Sequence, residues 1–209
     1  ALADITITNT GTLTGYSGTE TGPNHVPGGR TDNATVDTMN HDVVKTVTGT
    51  NIADTTDPNV AIGEYVTFEA VLNLTEGSLG DVTYTDTMDE GLALVSVDSI
   101  TPAAGISYTN DPLVDPGDWG INDYNSPQGD ASEFWIRFEG LENNNNESGY
   151  ETITIVYTAV VTNDPQSDRG DSLANDGELT WSGGTSDAGS ASVTIVEPRL
   201  RLTHSVSPG

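Results

Sequence analysis

Apolar residues in this chain recur at every second position, in short runs separated by turn-forming clusters. The clearest run is Tyr65–Leu74, where Val66, Phe68, Ala70, Leu72 and Leu74 share one parity. A period of two is that of a pleated strand, whose side chains alternate between faces. No segment sustains a 3.6-residue apolar period, so no long helix is expected. Strands are expected at Asp4–Thr10, Thr12–Tyr16, Ala34–Thr38, Asp42–Thr48, Tyr65–Leu74, Val82–Met88, Ala93–Ser99, Phe134–Glu139, Glu151–Thr162, Gly177–Ser182, Ala191–Val196 and Arg199–Val206. Turns are expected at Asp57-Pro58-Asn59, Glu76-Gly77-Ser78, Asn143–Asn146 and Asn163-Asp164-Pro165. Many short strands at this spacing predict an all-β sandwich.

Against that pattern one residue is out of place. Lys45 is the only lysine in 209 residues that carry 32 carboxylates. It lies in the run Val43-Val44-Lys45-Thr46-Val47, on the parity of Val43 and Val47. An unpaired ammonium on a core face costs several kcal/mol or gives up its proton. Either this strand is half exposed and Lys45 is incidental, or the lysine has a role inside. The formal charge of −26 makes nucleic acid and anionic membrane poor partners. Cysteine is absent, so neither a disulfide nor a thiolate metal site is available. The chain has neither a signal-peptide pattern nor an apolar run long enough to span a membrane.

The chain also repeats itself. The block Asn9–Thr19 lines up with Asn175–Thr185, and Lys45-Thr46-Val47 with His204-Ser205-Val206. Read in that phase, residues 1–41 are the closing strands of one repeat, 42–197 form a complete sandwich, and 198–209 are a linker and the opening strand of the next repeat. Asn9 shares parity with Ile5, Ile7 and Leu13, and could serve a lysine upstream or simply be structural. His204 stands where the first copy has Lys45, so that strand could not make the same bond.

Two motifs give the unit a resemblance. They are Ile62-Gly63-Glu64-Tyr65-Val66-Thr67-Phe68 and Val82-Thr83-Tyr84-Thr85-Asp86-Thr87-Met88-Asp89-Glu90-Gly91-Leu92. Together they resemble the tandem Ig-like repeats of bacterial surface proteins, and specifically the isopeptide-forming repeats of Gram-positive pilins and collagen-binding-type adhesins. Leu173–Trp181 is similar to the Asn-bearing final strand of those repeats, and the resemblance covers about residues 42–196. It implies an Ig-like fold, a location outside the cell, and a cross-link between a first-strand lysine and a last-strand asparagine assisted by a buried acid. Carried over by motif position, these are Lys45, Asn175 and Asp86. Parity supports the assignment: Asp86 falls with Val82, Tyr84 and Met88, and Asn175 with Leu173, Leu179 and Trp181. Glu69 falls opposite Phe68 and is the weaker candidate acid. The competing reading makes Lys45 a snorkelling strand-end residue, Asp86 an acid near a turn and Asn175 a turn residue.

Other residues invite chemistry. Asp111, Asp115, Asp118, Asp123 and Asp130 sit in one long acidic insertion that could wrap Ca²⁺, although without EF-hand spacing. Asp164, Asp168 and Asp171 form a second, weaker acidic cluster, and Trp119 with Tyr124 could stack on a sugar. His25, His41 and His204 lack ligand spacing. Asn33, Asn73 and Asn146 lie in sequons expected by chance in a chain this rich in Asn and Thr. The expectation is therefore a structural stalk or fibre repeat of a secreted or surface-anchored adhesin, with neighbouring repeats or subunits as partners. Alternatives are a pilus-like filament subunit joined by strand complementation and a calcium-dependent adhesin module with a glycan or surface ligand. Apart from one autocatalytic cross-linking event, no enzyme activity and no obligatory cofactor are expected.

Overall fold

The alternation becomes strands, and strands only. In a computed structural model of the chain, residues 6–37, 40–53, 55–110, 132–145, 149–165, 167–186 and 188–196 are described, and no helix occurs among them. The fold divides into two compact units, residues 2–40 and the remainder from His41 onward.

The smaller unit is a hairpin. Strand β1 (Thr6–Leu13) pairs antiparallel with β2 (Arg30–Asp37), with Asn9 opposite Ala34. The two strands expected at Asp4–Thr10 and Thr12–Tyr16 are one, because the backbone runs extended through Gly11.

The larger unit contains β3 (Asp42–Thr50), β4 (Asn59–Val60), β5 (Tyr65–Leu74), β6 (Gly77–Met88), β7 (Leu92–Pro102), β8 (Ile106–Ser107), β9 (Glu133–Asn143), β10 (Glu151–Val161), β11 (Ser172–Trp181), β12 (Gly184–Thr185) and β13 (Gly189–Ile195). One sheet has the order β3-β5-β10-β7. The other runs β4-β13-β11-β6-β9-β8, with β12 paired to β11. All these pairings are antiparallel except β13 with β4. The inward faces of both sheets contribute to a single apolar core, so this unit is an Ig-like β-sandwich.

The core follows the parity. Val66, Phe68, Ala70, Leu72 and Leu74 of β5 are all fully buried, as are Ile153, Ile155, Tyr157 and Ala159 of β10. Boundaries moved where glycine hid them. The expected turn at Glu76-Gly77-Ser78 is tighter, because Gly77 takes a φ of 110° and already begins β6. The strand expected from Gly177 starts five residues earlier, at Ser172, because Leu173 and Asn175 continue the same inward face.

Candidate functional site

Three strands from two sheets converge on one buried point. Lys45 comes from β3, next to Ala70 of β5. Asp86 comes from β6 and Asn175 from β11, in the facing sheet, with Asn175 paired to Met88 and Gly177 to Asp86. The side chains of Lys45 and Asp86 are 0% exposed, and Asn175 is equally buried. Lys45 is therefore inside, as the parity of Val43 and Val47 requires.

The contacts are direct. Lys45 Nζ lies 2.7 Å from Asp86 Oδ2 and donates to Asn175 Oδ1 as well. Asp86 Oδ2 also accepts from the Tyr84 hydroxyl at 2.5 Å and the Tyr157 hydroxyl at 2.7 Å. The Asn175 amide nitrogen donates to the Tyr157 hydroxyl at 2.9 Å. Tyr157 thus bridges the acid and the amide nitrogen. Its ring lies 5.5 Å from Lys45 Nζ and stacks on Phe68, while Phe134 meets it edge-on. Among the described residues Asp86 Oδ1 has no hydrogen-bond partner.

Glycine makes the crossing possible. A Cβ at Gly177 would lie 2.7 Å from the Tyr84 hydroxyl and 2.9 Å from Lys45 Cδ. Any side chain at 177 would block the path by which Lys45 reaches across to β11.

Burial drives both ionisable groups toward neutrality. Desolvation lowers the Lys45 pKa below the ordinary lysine value, against the charge and hydrogen bond of Asp86 and the charge of Asp176. Desolvation raises the Asp86 carboxyl, against Lys45, Tyr84 and Tyr157. Both tyrosines are pushed well above 10, first by burial and then by Asp86, so they stay protonated. Burial therefore narrows the gap between the ammonium–carboxylate pair and the neutral amine–carboxylic acid pair that one proton moved from nitrogen to oxygen would give. In the neutral pair an amine would face the carboxamide, with a carboxylic acid beside them.

The three residues assigned from the sequence motifs are together. One expectation shifts and one holds: Asn175 lies on β11, and β12 and β13 still follow it, so its strand is not the last of the unit. Glu69 is apart from the group, facing the other way on β5 between Thr46 and Val156. Tyr84, Tyr157 and Gly177 were missed. Tyr84 and Gly177 each lie two residues from a site residue on the same strand face; Tyr157 sits mid-run on an apolar face, where tyrosine needs a partner for its hydroxyl.

Of the acidic candidates, Asp111, Asp115, Asp118, Asp123 and Asp130 lie outside the described residues, as do Trp119, Tyr124, His204 and the strand expected at Arg199–Val206. Asp164, Asp168 and Asp171 form a turn, with Asp171 Oδ2 capping the Asp168 amide at 3.0 Å. They do not gather as a metal site, and no group of three or more metal-binding side chains occurs among the described residues.

Comparison with known proteins gives no match to any family model or curated protein. Among solved structures, the chain is similar to the pilus backbone RrgB from Streptococcus pneumoniae, with 18% identity, a TM-score of 0.43, and coverage of 68% of this chain and 32% of that one. It is also similar to two domains of the major pilin SpaD from Corynebacterium diphtheriae, at 13% identity and a TM-score of 0.43, covering 73% and 50% of the two chains. A third is the N-terminal domain of a Streptococcus gordonii adhesin, at 11% identity and a TM-score of 0.47, covering 74% and 32%. The chain spans about a third to a half of the length of these structures.

Proposed function

We propose that this chain is a structural stalk or fibre unit of a secreted or surface-anchored microbial adhesin or pilus. In this reading its sandwich is stapled by an autocatalytic isopeptide bond between Lys45 and Asn175. The observation that carries the proposal is the enclosed contact of Lys45 with both Asp86 and Asn175, all without exposure to water.

The chemistry closes on these residues alone. Lys45 passes one proton to Asp86 and becomes a neutral nucleophile. Its Nζ attacks the Asn175 carboxamide carbon, and the amide nitrogen pyramidalises and becomes basic. Asp86 then delivers its proton to that nitrogen through the Tyr157 hydroxyl, which touches both groups. The C–N bond to the side-chain nitrogen breaks, ammonia leaves, and Asp86 takes the second proton from Nζ. Of the three ammonium protons, one remains on the new amide, one on Asp86, and one departs with ammonia. The reaction occurs once per molecule and is maturation, with no turnover.

The bond would span 130 positions and join the two sheets across the core. By analogy with a disulfide closing such a loop, it stabilises by roughly 5 kcal/mol. In a cysteine-free chain it supplies the staple that disulfides give other extracellular domains. The test is intact mass. The purified chain should be lighter than its sequence by one ammonia, and Lys45→Ala should restore the full mass. An unshifted mass in the parent protein would overturn the cross-link.

A further inference from the structure

The hairpin β1–β2 copies the hairpin β11–β13 strand for strand. Thr6 pairs with Asp37 as Ser172 pairs with Thr194, and Ile7 with Val36 as Leu173 with Val193. Asn9 pairs with Ala34, the position at which Asn175 pairs with Ala191. Gly11 stands where β11 has Gly177, and Leu13 where it has Leu179. The burial is opposite. Leu173 and Leu179 are 1% and 0% exposed, whereas Ile7 and Leu13 are 56% and 49% exposed, and Asn9 is exposed beside them.

Gly11 carries the second argument. Gly177 is a glycine because Lys45 and Tyr84 crowd its Cα. Gly11 has no such neighbour: a Cβ there would meet only the Asp32 carbonyl oxygen, at 4.0 Å, and its φ is not in the left-handed region. Within a strand a glycine weakens pairing unless something must approach it closely. At position 11 nothing described makes that approach, so the position is open to a group from outside the hairpin.

We infer that β1–β2 is the closing hairpin of a second Ig-like body, built like residues 41–171 and bringing a lysine and a buried carboxyl to Asn9. Ile7 and Leu13 would enter that body's core, Gly11 would pass its lysine, and Asn9 would be the electrophile. The docking follows from register, burial and Gly11. The covalent step rests on the function proposed above and has the same balance: a lysine Nζ–Asn9 Cγ bond forms, the Cγ–Nδ2 bond breaks, and ammonia leaves with one lysine proton.

A graft within the full chain tests this. Residues 6–37 replace residues 172–194, which keeps the pairing register at both ends. A control keeps both native strands and only exchanges the tip, residues 182–188, for residues 14–29. The expected result is a graft that melts cooperatively, loses one ammonia and yields a cross-linked peptide joining Lys45 to the grafted asparagine. An unfolded graft beside a folded control would overturn the inference. So would a folded graft of full mass beside a parent that has lost ammonia. If the parent keeps its full mass, the covalent reading of the function has failed, and folding of the graft against its control still decides the docking.

Discussion

Among the described residues two carboxylates of this sandwich are fully buried, and they are treated in opposite ways. Glu64, at the start of β5, spends both oxygens on local donors. Its Oε1 accepts from the Thr55 hydroxyl at 2.5 Å and the Ile52 amide at 3.3 Å, and its Oε2 from the Ala61 amide at 2.8 Å. It ties the segment between β3 and β5 to the strand that follows. Asp86 gathers three donors on one oxygen and leaves the other with none. Its donors come from β3, β6 and β10, two of them from the facing sheet. A buried acid saturated by donors of the neighbouring loop is a fastener. A buried acid left half satisfied beside a buried amine is under pressure to take a proton, and that is the state general acid chemistry requires.

The comparison predicts that substitutions at the two acids fail differently. Asp86→Ala should abolish ammonia loss, leaving the full sequence mass in an intact-mass spectrum after prolonged incubation. Glu64→Gln should leave the ammonia loss intact and cost about 1–3 kcal/mol through loop contacts, read by chemical denaturation. If Glu64→Gln blocked closure, or Asp86→Ala still closed, the division between fastener and reagent would be wrong.

The next effect belongs to the proposed Lys45–Asn175 bond. Lys45→Met keeps apolar bulk in the core but removes the nucleophile. It should lower stability by roughly 5 kcal/mol relative to the cross-linked parent, from the opened loop. Tyr157→Phe sharpens the picture further. It keeps the ring stacked on Phe68 and removes only the hydroxyl between Asp86 and Asn175. Closure followed by mass after cell-free synthesis should slow by ~10²–10⁴-fold, the usual range for a lost acid–base contact. Tyr84→Phe also removes a donor to Asp86 but has no hydrogen bond to Asn175, and should slow closure less. Equal slowing would mean that both hydroxyls only set the acidity of Asp86.

The site residues were assigned from the motif resemblance, and strand parity supported them, because a strand that buries one face dictates which polar residues must share it. Lys45, Asp86 and Asn175 each fall on the apolar parity of their strands, and all three are inside. Parity says which face a residue occupies. It does not say which strands lie side by side, so Tyr157 on β10 could not be connected to Asn175 before the sheets were assembled. Gly177 was hidden for a related reason: its crowding comes from Lys45, 132 positions earlier in the chain. The local fastener at Glu64 was invisible because two of its three donors are backbone amides, which carry no residue signature.

The smallest predicted effect is also the one that isolates Asp86. In Lys45→Met the cation that opposes burial is gone, so the Asp86 carboxyl rises further above the ordinary aspartate value. A group whose folded pKa is raised binds its proton more tightly in the folded state. Its contribution to stability is complete below the unfolded pKa and is lost as pH climbs through the folded one. The Lys45→Met protein should therefore lose stability from acid toward neutral pH, by at most about 1.4 kcal/mol per pH unit from this one group. The formal charge of −26 tends the same way, since protonating any surface carboxylate relieves repulsion. The measurement must then be a difference. Subtracting the pH profile of Lys45→Met/Asp86→Asn from that of Lys45→Met removes the surface and leaves Asp86. A flat difference across that range would mean that Asp86 titrates as an ordinary aspartate despite its burial.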